Sequence, residues 1–142
     1  MKAQRLRFRY RITPEARDLG QRDLARAWEE AVVAANLPLA HSEGKRSGAL
    51  IQIAAALPQG VTSDGELVDV FFEAAVDPDA ALVGIQTTMR PGVEAVTVEE
   101  VGVGGRSLQA LLRWAEYDVR VPSNGLSAEE LSRRISVLLD AS

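Results

Sequence analysis

Arg5-Leu6-Arg7-Phe8-Arg9-Tyr10-Arg11-Ile12 alternates four arginines with four large apolar residues. Successive side chains of a strand point to opposite faces, so Leu6, Phe8, Tyr10 and Ile12 enter a core while Arg5, Arg7, Arg9 and Arg11 form one row on the other face. The octet is therefore a first strand with one buried and one cationic side.

Downstream, Thr13-Pro14-Glu15 makes a turn. Leu24, Ala27, Trp28, Ala31, Val32 and Ala35 then recur at helical spacing, with Arg22, Arg26, Glu29 and Glu30 off the stripe. This helix stops at Asn36, because Pro38 disfavours a helical residue before it. After a polar stretch from Leu39 to Gly48, Leu50 to Leu57 reads as a second strand. Pro58-Gln59-Gly60 and Ser63-Asp64-Gly65 punctuate a hairpin-like connection to a third, Glu66 to Glu73, with Val68, Val70 and Phe72 on one face. Asp77-Pro78 is an N-cap followed by proline at the first helical position, opening a second helix that carries Ala81, Leu82, Ile85 and Met89 inward. Pro91-Gly92 ends it, and Val93 to Val101 is a fourth strand closed by the glycine hinge Gly102-Val103-Gly104-Gly105.

The order β-α-β-β-α-β, with right-handed crossovers, predicts an α+β fold: a ferredoxin-like sandwich over residues 1–105, two helices covering one sheet face. The first strand lies mid-sheet in that topology, which puts the arginine row on the uncovered face. Residues 106–142 read as a helix-strand-helix extension, a partial second ferredoxin-like unit: Ser107 to Leu112 helical, Glu116 to Val121 a strand, Ser127 to Leu139 a helix opened by the capping box Ser127-Ala128-Glu129-Glu130. Its apolar stripe Leu126, Leu131, Ile135, Leu138 and Leu139 needs cover, either from the first unit or from a second copy in a homodimer.

The composition, 46% hydrophobic over 142 residues, suits a packed core. Without cysteine there is no disulfide framework, thiolate metal site or iron-sulfur cluster, which suits the cytoplasm. The N-terminus runs straight into a charged strand and no apolar run reaches bilayer length, so neither secretion nor membrane insertion is expected. Net charge is −4 but uneven: residues 1–46 hold ten Lys/Arg against six Asp/Glu, and the remainder six against fourteen. The basic surface is local.

Several segments resemble a family. Arg22-Asp23-Leu24-Ala25-Arg26 through Asn36-Leu37-Pro38-Leu39-Ala40-His41-Ser42-Glu43-Gly44 is similar to the N-terminal part of the radical-SAM-linked domain, a bacterial domain of unknown function. So are Ala56-Leu57-Pro58-Gln59-Gly60 through Asp69-Val70 and Ser107-Leu108-Gln109-Ala110-Leu111. The family occurs fused to, or encoded beside, radical-SAM proteins, so the resemblance implies an accessory role in handling an RNA or protein substrate. The radical chemistry itself needs three cysteines around a cluster, and there are none. Where the family carries a Ser-His pair this chain has Gly20 and Gln21, and after Ser-Glu-Gly it has Lys45-Arg46-Ser47-Gly48-Ala49 in place of aromatic-Asn-Pro-x-Pro. It reads as a shortened, site-divergent member. Asp23, Ser42, Glu43 and Gly44 are the matching positions carried over.

The expected function is a non-catalytic binding module for a radical-SAM partner, presenting RNA or an acidic partner segment on Arg5, Arg7, Arg9 and Arg11 with Lys45 and Arg46. The plain reading of the row is cross-strand pairing with Asp69, Glu73 or Glu99. The alternative function is RNA cleavage by His41, the only histidine, because some ferredoxin-like endonucleases that process CRISPR repeats are similar in placing a histidine there. One histidine among scattered carboxylates offers no metal-ligand spacing, and no other cofactor is expected.

Overall fold

The computed structural model describes residues 1–141. In chain order the elements are β1 (Gln4–Ile12), α1 (Gln21–Ala34), β2 (Ile51–Ile53), β3 (Ser63–Phe72), α2 (Pro78–Thr88), β4 (Val93–Val101), α3 (Leu108–Leu111) and α4 (Ala128–Asp140). The strands form one antiparallel sheet in the order β2-β3-β1-β4, an α+β arrangement with β1 between its two longest neighbours. Leu6, Phe8 and Tyr10 are fully buried, as the period of two requires. They pack with Val68, Val70 and Phe72 of β3 against Leu24, Trp28, Ala31 and Val32 of α1 and Ala81 and Ile85 of α2, so both helices lie on one sheet face.

Local chemistry sets the element ends. α1 stops in a Schellman motif: Asn36 takes a left-handed φ of 57°, its N–H donates to Val33 O, and the Leu37 N–H donates to Val32 O. Asn tolerates that conformation better than most residues, which is why the helix ends there and Pro38 can follow. At α2 the Asp77 carboxylate accepts from the Ala80 N–H at 3.2 Å, with Pro78 in the first turn. Gly92, at φ 91°, joins α2 to β4; a Cβ there would lie 2.6 Å from both the Cβ and the N of Ala16.

Four expectations are corrected. β2 keeps only Ile51–Ile53, because the chain bends at Ala54-Ala55 and leaves β3. β3 begins at Ser63, so Ser63-Asp64-Gly65 is strand and not turn; Ser63 pairs with Ile12 across a register shift in β1. Glu116 to Val121 forms no strand, because a strand needs a neighbour to take its ladder bonds and residues 112–123 lie beside none. The capping box at α4 is half made: Ser127 Oγ accepts from the Glu130 N–H, but the Glu130 carboxylate is taken by Arg133 and Arg134.

The face opposite the helices is not wholly open. The turn at Gly102–Gly105 and α3 fold back over one end of it, burying Leu108; Gln52 Oε1 accepts from the Leu108 N–H, and Gln109 Nε2 donates to Ile53 O.

Candidate partner-docking face

Asp69, opposite Arg7 in the β1–β3 register, is fully buried under the returning turn. Arg5 Nε donates to its Oδ2 at 2.8 Å and Arg7 Nε to its Oδ1 at 2.9 Å. Arg5 is only 2% exposed, and its remaining donors reach the carbonyls of Gly102, Gly105 and Arg106. A guanidinium presents five N–H donors in a fixed fork, and this ring of acceptors makes its burial tolerable. Phe71 lies beneath, with Arg5 and Lys2 over its ring at 5.2 and 5.0 Å. The Arg7 pKa is raised above its ordinary value by the hydrogen bond to Asp69, with the charges of Asp69 and Glu99 adding to it.

The row thus splits in two, correcting the expectation of four exposed arginines. Arg5 and Arg7 are structural, because one strand-centre carboxylate and a covering turn turn their end of the face into interior. Arg11 is exposed and bridges Asp64 at 3.2 Å and Glu94 at 3.4 Å. Arg9 is exposed and pairs with no carboxylate among the described residues; its one hydrogen bond goes to Asp64 O at 3.4 Å. Gly65 makes room for it, since a Cβ there would stand 3.4 Å from the guanidinium.

Arg9 opens into a groove of about 1120 Å³, lined by residues 54–57 and 61–67 and by the segment from Leu112 to Arg120. Trp114 and Tyr117 line it while 77% and 63% exposed. Asp64, Glu66, Glu116 and Asp118 also line it, so the groove is mixed in charge.

The other expected site residues are not brought to this place. Ala40 and Leu50 continue the sheet beyond Phe71, level with Arg5, and Lys45 and Arg46 sit exposed in the loop that leaves from there, closed by Ser42 Oγ accepting from the Gly48 N–H. At roughly 3.4 Å per strand residue, Arg9 lies about 14 Å further along β1. His41 is exposed and bridges to Ala49 through backbone alone; among the described residues no acid or base partners its ring. Asp23 sits exposed in the first turn of α1, whereas Ser42, Glu43 and Gly44 follow the other end of that helix, so the matched positions do not converge. No group of three or more His, Asp or Glu among the described residues is placed to hold a metal ion. No described helix is long and apolar enough to cross a membrane.

Sequence reasoning missed the latch formed by the glycine-turn carbonyls on Arg5. Its signal was present: a run of glycines immediately after the strand that pairs with the arginine row leaves carbonyls free to approach a guanidinium. It also missed Arg9 as the one free member, which depends on where β3 begins.

Residues 5–142 match the pattern of a family described as an uncharacterized protein conserved in bacteria, DUF2344. The chain belongs to that family. The match spans the sheet, both covering helices and the C-terminal segment, so the latch and the groove both lie inside the DUF2344 region. None of the curated proteins compared with the chain matches it.

Proposed function

We propose that this DUF2344 chain is a non-catalytic docking module that takes an acidic segment of a partner protein at Arg9, along the groove walled by Trp114. The observation that carries the reading is Arg9 itself: an exposed guanidinium held in place by β1 with no carboxylate partner among the described residues, in a groove that an exposed indole also lines. An acidic extended segment supplies the missing carboxylate and apolar atoms for the ring. A single free arginine among acidic neighbours suits a short protein segment better than a nucleic-acid backbone, whose affinity depends on many phosphate contacts. The strand order with both helices on one face supports a ferredoxin-like sandwich for the β-α-β-β-α-β unit. The resemblance to the radical-SAM-linked domain makes a radical-SAM protein the partner to try first.

The test measures binding of a poly-glutamate peptide, of a labelled single-stranded RNA, and of a radical-SAM protein, each across a salt series. The peptide and the protein should bind, and Arg9→Glu should weaken both at least tenfold, while Lys45→Ala/Arg46→Ala changes neither. RNA binding with a salt slope of several counter-ions would overturn the reading. So would RNA cleavage that His41→Ala abolishes.

A further inference from the structure

Glu116-Tyr117-Asp118-Val119-Arg120-Val121 has the period of a β-strand and lies outside every helix, turn and strand, yet among the described residues it pairs with no other segment. Among the described residues no backbone group of residues 113–122 takes part in a hydrogen bond. Tyr117, Val119 and Val121 share one face and are 63%, 75% and 57% exposed. On the other face Asp118 and Arg120 form an ion pair with each other at 3.8 Å, their one ion pair among the described residues, and are 84% and 93% exposed. Alternation of this kind is what a half-buried strand requires, and here neither its ladder bonds nor its apolar face is satisfied.

We propose that this strand pairs antiparallel with the same strand of a second copy of the chain, on a twofold axis through Val119. The register follows from the side chains. A twofold placed between two residues sets each apolar side chain opposite a charged one, and a twofold through Asp118 or Arg120 sets like charges face to face. A twofold through Tyr117 puts Glu116 against Asp118. Through Val119, Tyr117 meets the partner's Val121 twice, Asp118 meets the partner's Arg120 twice, and Val119 meets itself. From Tyr117 to Val121 both faces are then complementary, apolar on one side and neutralised on the other, and Glu116 falls opposite Pro122 at the end of the ladder. Pro122, lacking an N–H, closes the ladder.

A two-stranded ribbon is marginal unless something covers its apolar face. α4 follows directly, after Asn124 and Gly125 reverse the chain with φ of 43° and 86°. Leu131, Ile135 and Leu138 fall on one stripe of α4 at i, i+4 and i+7, and Ile135 and Leu138 are 47% and 71% exposed. In the dimer two copies of this stripe cover the ribbon. The pairing uses no arginine of β1, so its failure and the failure of the Arg9 reading are separate results.

The chain has no cysteine, which makes the test direct. Cβ atoms of directly opposed residues stand about 4.5–5.5 Å apart, close to disulfide reach. Val119→Cys should therefore form disulfide-linked dimers under mild oxidation much faster than Val83→Cys, a control on α2 that is 60% exposed. Sedimentation of the full chain from low micromolar to near-millimolar concentration should show a monomer–dimer equilibrium. Asp118→Arg alone should weaken it at least tenfold, and adding Arg120→Asp should restore it, because the swap recreates both ion pairs. Circular dichroism checks that each variant keeps the sheet, which lies outside the substituted segment. A monomer throughout, disulfide formation at Val119→Cys no faster than at Val83→Cys, or a dimer indifferent to Asp118→Arg would overturn the proposal. Preferential linkage of Val119→Cys to a Val98→Cys copy would also overturn it, placing the strand on the free edge of β4 instead.

Discussion

Asp69 is the residue on which the arginine face turns. Its carboxylate is buried between two guanidinium groups, one of them buried as well, so removing the charge leaves Arg5 uncompensated in the interior. Asp69→Asn should destabilise the chain by about 3–5 kcal/mol in urea unfolding, because breaking a buried pair costs far more than the pair contributes. Arg9→Ala, exposed and free of carboxylate partners, should change stability by less than about 0.5 kcal/mol. Tyr10 makes a second prediction. Its hydroxyl is buried without a hydrogen-bond partner, and burial raises its pKa well above the ordinary value of 10.0. The folded state therefore holds the proton after the unfolded chain has begun to lose it, so this contribution to stability is complete below about pH 10 and is lost as pH rises above that. Tyr10→Phe should flatten the alkaline loss and raise stability at neutral pH by about 1 kcal/mol, since an unpaired hydroxyl is removed from the core. A loss of stability on that substitution would show that the hydroxyl is solvated or bonded in solution.

Among the elements, α1 carries the core through Trp28, fully buried with its ring 5.5 Å from Phe8 and 5.1 Å from Tyr10. Trp28→Ala should cost about 3–5 kcal/mol, read as a lower denaturant midpoint at unchanged slope. α2 was legible almost to the residue, because Asp77-Pro78 states its start in backbone chemistry that needs no tertiary partner. β2 and β3 were less legible, since the end of a strand depends on whether a neighbour continues alongside. Ser63-Asp64-Gly65 carries turn residues, but pairing with β1 and the reach of Arg11 to Asp64 hold it in the sheet.

At the scale of the whole molecule, a covered sheet carries a C-terminal segment that ends in α4. No residue beyond Leu108 belongs to the buried core among those described. A chain ending at Leu112 should therefore melt within a few degrees of the full chain, while losing both the Trp114 wall of the groove and the strand proposed to pair between copies. A large drop in melting temperature would mean that the segment packs on the body in solution.

The sequence by itself determined the strand of alternating arginines, the helical stripes, the helix caps and the α+β order, because each rests on local periodicity or on a side chain reaching its own backbone. It also named Asp69 among the possible partners of the row. Which arginines are buried was decided only by tertiary structure. Burial depends on the turn after β4 returning over Arg5 and on a carboxylate lying directly across from Arg7, and neither distance exists until the strands pair. For the same reason the segment Glu116 to Val121 reads as a strand but forms none in the folded chain: alternation specifies an extended backbone with two unlike faces, and only a neighbour can supply the hydrogen bonds that make it a strand.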